Sequence, residues 1–193
     1  MQDSTLAARL LEVIEQDILP LTKSWVDAGN KIFGAALLRK GSLETYLAET
    51  NNEMENPLWH GEMHALKRFY EIPADERPAT SELIFLSTHE PCSLCLSAIT
   101  WCGFDNFYYF FSHKDSRDSF EIPHDLKILK EVFGRDDYCT ENEFWTSRAV
   151  QELIDKSTDP ATLNNRAHDI RQQYNDLSAI YQSDKAGNNI PLN

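Results

Sequence analysis

Two short segments carry residue types that can do chemistry together: Trp59-His60-Gly61-Glu62 and Glu90-Pro91-Cys92-Ser93-Leu94-Cys95. Cys92 and Cys95 stand three apart, so on a helix they share one face of the first turn. The free N–H groups and positive dipole end there favour thiolates. His60 opens a neighbouring helical pattern and can complete a Cys/Cys/His set. Sulfur and imidazole suit Zn²⁺, whose catalytic sites use three protein ligands and leave the fourth position to water. Two thiolates balance the ion's charge, and the ion acidifies that water toward neutrality. Glu62 follows His60 by two residues, a rotation of about 200° on a helix, so it makes a poor fourth ligand. At a helix start its carboxylate can instead reach the water and carry its proton to a leaving group. His64 lies four after His60, but a His-Glu-x-x-His pair would need the acid in second place, and here it stands third.

The surrounding pattern predicts what holds these segments. Apolar residues at three- and four-residue steps predict a helix over 4–28, with Pro20 kinking or ending it. A hairpin is expected over 32–39 and 43–48, turning at Lys40-Gly41. The polar stretch 50–57 reads as a loop, 60–70 as a helix, and 83–87 as a buried strand. Residues 91–102 form a helix with Pro91 in its first turn and Gly103 at its exit, and 107–111 a further strand. Helices are expected over 126–133, 143–156 and from Asp159-Pro160 to about 182, with a frayed tail over 187–193. The last helix places Leu163, Ala167, Ile170, Tyr174, Leu177 and Tyr181 on a heptad-like seam. That seam suits docking on its own domain, a dimer contact or a cover for a neighbour's site. The alternation implies an α/β layer fold with a mixed sheet, parallel in its middle and antiparallel at the hairpin.

Composition narrows the partners. The 193 residues suit one domain, with 41% hydrophobic and 25% charged residues. Eighteen basic against 31 acidic side chains give a net charge of −13, which weighs against nucleic acid. The longest aromatic run, 107–111, is far too short to span a bilayer, and acids interrupt the N-terminal apolar stretch, so no membrane anchor or export signal is expected. A cytoplasmic protein without disulfides is expected, with Cys102 and Cys139 as small buried apolar groups.

His-x-Glu followed by Pro-Cys-x-x-Cys resembles the signature of zinc deaminases, and the chain resembles the cytidine deaminase superfamily from about residue 30 to 118. The resemblance implies a three-layer α-β-α fold, a mixed and mostly five-stranded sheet, and extra C-terminal helices. It implies Zn²⁺ held by His60, Cys92 and Cys95, with Glu62 as proton shuttle. Residues 30–35, Asn-Lys-Ile-Phe-Gly-Ala, are similar to a family segment whose Asn contacts the substrate ring, which implies that role for Asn30. Ala98-Ile99-Thr100-Trp101 is similar to guanine deaminases, whereas His60-Gly61-Glu62 is similar to fungal-type cytosine deaminases. The expected substrate is therefore a small amino-substituted heterocycle, a purine base such as guanine first. Cytosine or cytidine, tRNA adenosine, and a non-catalytic zinc-stabilised module are the alternatives. Asn30, Trp59, Gly61, Glu90, Trp101 and Asp118 are the candidate substrate contacts. The deaminase domain is expected over 1–156, with 157–193 packed on it or on the partner of a homodimer.

Overall fold

Along β1 (Gly34–Arg39) successive side chains leave on opposite faces. Ala36 and Leu38 enter one hydrophobic cluster, Ala35 and Leu37 the other. A strand apolar on both faces needs helices above and below it. The computed structural model, which describes residues 3–192, supplies them as a three-layer α/β fold.

The sheet also contains β2 (Thr45–Thr50), β3 (Leu83–His89), β4 (Asn106–Phe111) and β5 (Thr146–Ala149), in the order β2-β1-β3-β4-β5. β1 runs antiparallel to β2 and β3, whereas β3, β4 and β5 are parallel. One face is covered by α1 (Asp3–Val13), α2 (Leu19–Val26), α7 (Val150–Asp155) and α8 (Pro160–Asp184). The other carries α3 (Gly61–Glu71) and α4 (Ser93–Trp101). The short α5 (His113–Asp118) and α6 (His124–Phe133) lie between β4 and β5. The seam of α8 is buried in the first cluster, so it docks on its own sheet. Among the described residues no helix is long and apolar enough to cross a membrane.

Several boundaries differ from the sequence pattern, each for a local reason. Pro20 does not end the first helix. A π turn over Ile14–Ile18 joins α1 to α2 and shifts the carbonyl that the proline ring would strike. The expected helix over 143–156 is a strand followed by a shorter helix. β5 has no apolar alternation, and its place comes from pairing with β4 and from Trp145, whose indole is buried and donates to Thr100 Oγ1 at 2.8 Å. α5 is entirely polar and rests on a capping box between Ser112 and Asp115. The tail over 187–192 is tied down rather than frayed: Asn188 donates to Gly29 O at 3.1 Å, and Ile190 is buried. Asn193 lies outside the described residues. Cys139 is exposed and Cys102 half-buried, so neither is the fully buried group expected.

Candidate active site

Both chemistry-bearing segments sit where a chain enters a helix. His60 is the N-cap of α3 and Cys92 the N-cap of α4, each extended, with ψ of 161° and 171°. Cys95 follows one turn into α4. The three donor atoms form a near-equilateral triangle: Cys92 Sγ to Cys95 Sγ 3.6 Å, and His60 Nδ1 to the two sulfurs 3.5 and 3.6 Å. Tetrahedral Zn²⁺ with bonds of about 2.1 and 2.3 Å separates its ligands by roughly 3.5–3.8 Å, so the set fits the ion without rearrangement. It is also the one His/Cys/Asp/Glu group with metal-binding geometry found among the described residues.

The protonation of the metal-free set fits the same ion. A hydrogen bond from Cys95 holds the Cys92 thiol well below its usual range, with the His60 ring adding to this. Burial and the neighbouring Cys92 push Cys95 well up. Burial pulls His60 down, but the Cys92 sulfur beside it outweighs that and raises it to about 9. One buried negative sulfur thus already collects positive charge around it.

The polar loop between β2 and α3 orients the ring. Glu53 Oε1 lies 3.7 Å from His60 Nε2 and accepts from Lys31 Nζ at 2.9 Å. Glu53 Oε2 accepts from Asn51 at 2.7 Å, and Asn51 Oδ1 in turn accepts the Gly61 N–H. A carboxylate behind the outer nitrogen turns Nδ1 toward the sulfurs. Sequence patterning read this loop only as polar. The one signal was the run Asn51-Asn52-Glu53, ending seven residues before His60.

Glu62 is buried, with Oε2 3.4 Å from Cys95 Sγ and Oε1 accepting the Ser87 hydroxyl at 2.9 Å. Burial raises its pKa, and the negative Cys92 adds to the effect. A cavity of about 330 Å³ opens over His60 and Cys92, walled by Phe33, Leu58, Leu94, Ile122 and Ile128, with tail residues Ile190, Pro191 and Leu192 at its side. An inner recess is lined by Phe33, His60, Glu62, His89, Glu90, Cys92 and Asp125. Burial, aided by Cys92, pushes the Asp125 carboxyl up to about 7.

Of the expected substrate contacts, Glu90 lies in the recess. Trp59 stacks on His64 at 6.0 Å beside the site. Three do not line the cavity or its recess. Asn30 is buried, donating to Trp25 O and accepting from Met54 N, and so anchors the loop that carries Glu53. Trp101 is 91% exposed at the far end of α4. Asp118 pairs with Arg117 on the surface.

Gly61 has a steric reason. A Cβ there would lie 2.7 Å from Gly34 Cα and 2.9 Å from Gly34 N, so α3 approaches β1 backbone to backbone. Gly61→Ala must push α3 away from β1, a cost of about 1–3 kcal/mol. A Tm lower by about 2–10 °C is expected in a melting scan, together with lost turnover because His60 and Glu62 flank the shift. An unchanged Tm and rate would remove the steric account.

Residues 12–111 match the family described as the cytidine and deoxycytidylate deaminase zinc-binding region. No curated protein matches the chain. Among solved structures, guanine deaminase from Nitrosomonas europaea has a TM-score of 0.51 at 19% identity, covering 88% of this chain and 84% of its own. A protein solved with 2,6-diaminopurine scores 0.52 at 20% identity, covering 88% and 81%. The guanine deaminase of Bacillus subtilis scores 0.48 at 23%, covering 71% and 83%. At such identities the first two show a shared fold. The match extends over half of the chain and contains all three donors as well as Glu62, so the protein belongs to the cytidine deaminase superfamily and is a zinc-dependent deaminase hydrolysing a C–N bond.

Proposed function

We propose that the substrate is a free nucleobase rich in N–H donors, guanine first, whose amine leaves as ammonia. The observation that carries this is the polarity of the site. The inner recess offers carboxyl groups from Glu62, Glu90 and Asp125, which suit ring N–H and amino donors. The cavity's ammonium, Lys31, is buried and paired with Glu53, so it is no anchor for a phosphate. With a net charge of −13 and the tail beside the opening, a small neutral molecule fits better than a nucleotide or tRNA. The guanine deaminase fold likeness supports the same choice. The glycine in the His-Gly-Glu spelling that favoured cytosine also answers a steric need, the close approach of Gly34, which lessens its weight as a substrate signal.

His60, Cys92 and Cys95 would hold the zinc, which when bound supplies an acidified water at neutral pH. Glu62, steadied by Ser87, takes the two protons of the attacking water in turn, passing the first to the ring nitrogen and the second to the departing amine. Water's oxygen becomes the carbonyl, the C–N bond breaks, and ammonia carries the amine away. Phe33, close to the donors, supplies a flat apolar wall for a ring. Ammonia release across bases, nucleosides, nucleotides and tRNA tests the reading. Guanine is expected fastest, with nucleotides and tRNA inert. A nucleotide or tRNA turned over faster than every free base would overturn it.

A homodimer is proposed on the outer face of α4, where Trp101 and, two turns earlier, Leu94 are exposed. Trp101→Glu is expected to give monomers in light scattering. A wild-type protein already monomeric at high concentration would sink this.

A further inference from the structure

The cavity over the donors is larger and more apolar than a bare base requires. Phe33, His60, Cys92 and Asp125 line both the cavity and the inner recess, so they mark the end where a ring carbon must sit to react beside Glu62. The whole cavity measures about 330 Å³, within the roughly 300–1,000 Å³ that holds drug-sized ligands. A flat bare base held at the donor end leaves the rest to water. That remainder is walled from three separated stretches of chain, by Leu58 in the loop before α3, Ile128 on α6 and Leu192 in the tail. Leu58 and Leu192 are each more than half exposed. A lone exposed leucine is ordinary, but apolar side chains from distant segments facing one hollow mark a binding surface. The polar members of this wall carry no net charge. Lys31 Nζ is taken by Glu53 Oε1 at 2.9 Å, with both side chains buried. Burial, with the nearby lysines, lowers the His124 pKa, so that ring is neutral at pH 7. Ser93 is uncharged. Water held against an apolar wall makes few hydrogen bonds there, and an apolar group that displaces it is favoured.

We propose that this remainder is a subsite for an uncharged apolar substituent carried by the base, so that alkyl-substituted bases are better substrates than the bare ring or its riboside. The amine that leaves must face the donors and Glu62. The opposite edge of the ring, and any group on it, is thereby directed into the apolar part of the cavity. An anionic substituent is disfavoured, because the Lys31 ammonium is already paired. A ribose is disfavoured because its hydroxyls would lose water against leucine and isoleucine side chains. The assignment rests on the free-base reading given above and narrows it.

The test measures ammonia release by the zinc-loaded wild type from guanine and from guanines bearing methyl, propyl or pentyl on the five-membered ring, the edge remote from the amine. In at least one positional series kcat/KM is expected to rise by about twofold to fourfold per added methylene, mainly through KM, the size of a buried methylene converted to a ratio. Guanosine, bulky at the same edge but polar, should gain nothing over guanine. The double variant Leu58→Ser, Ile128→Ser should lose more on the pentyl compound than on guanine, so that the rise along the series shrinks several-fold. Its melting curve checks that the fold is kept, and the wild-type series decides alone if it is not. A wild type that deaminates guanine but shows a flat or falling trend in every series would overturn the subsite and leave the free-base reading standing. A guanosine that gains as much as the alkyl compounds, or a trend untouched in a folded double variant, would also overturn the subsite alone. A wild type silent on every base would overturn the free-base reading and the subsite with it.

Discussion

Glu62→Gln is expected to lose at least a thousandfold in kcat while keeping its zinc. The amide copies the carboxyl's shape, and its oxygen can still accept the Ser87 hydroxyl at the position Oε1 now holds, 2.9 Å away. None of the three donor atoms belongs to it, so metal content should remain near one zinc per chain. What the amide cannot do is hold and release a proton. Proton transfer by a positioned side chain contributes about a hundredfold to ten-thousandfold, and a thousandfold corresponds to roughly 4 kcal/mol of barrier. The fold should not suffer. Burial raises the Glu62 pKa, which means that its ionised form is disfavoured in the fold, and a neutral amide avoids that penalty. Ammonia release with zinc measured on the same sample checks the claim. A Gln variant within tenfold of wild type would move the proton-handling role to another group, and Glu90 or Asp125 in the same recess would be the next to remove.

What the sequence could reveal about this site depended on how local each cause was. His60, Cys92 and Cys95 were legible because both N-cap positions and the one-turn spacing are short-range features of α3 and α4. Glu62 was legible for the same reason. Lys31, Glu53 and Ser87 were not, since each reaches the site from a different part of the chain, through pairing between β1 and β3 or through the loop after β2. Asn30 matched a familiar segment, yet its side chain serves Trp25 and Met54 backbone groups. The type suits contact with a ring, and in this structure the local turn directs it to those backbone groups. Trp101 shows a similar limit. Helical spacing places it seven residues after Leu94, on the same outward face of α4, while the inward face is carried by Cys95 and Ile99. The fold divides in the same manner. β1, β3 and β4 announce themselves by apolar runs, whereas β5 exists through its partner β4 and through Trp145, both tertiary facts. The tail is held by a long-range hydrogen bond from Asn188 and by the burial of Ile190, and neither leaves a periodic trace.

Stripping the zinc with a chelator is expected to abolish turnover and lower Tm, yet leave the protein folded. The two hydrophobic clusters on either face of the sheet are built from residues remote from the donors, so the fold does not depend on the ion as a small zinc module does. Zinc present at a thousand times its Kd stabilises by about 4 kcal/mol, or roughly 8–16 °C in Tm for a chain of this size. The pH dependence has a definite sign. In the metal-free chain His60 carries a proton up to about pH 9, because the adjacent Cys92 sulfur outweighs the effect of burial. Zinc must displace that proton and the one on Cys95, whose thiol is pushed well up by burial. Apparent zinc affinity should therefore rise with pH through neutrality, by about tenfold per unit for each proton released, and flatten only above pH 9. Zinc competition with a chromophoric chelator at several pH values, alongside circular dichroism, reads both claims. Turnover that persists in zinc-free protein would remove the metal from the reaction. A zinc affinity that falls as pH rises would mean that the ion is held by groups other than the two sulfurs and the imidazole.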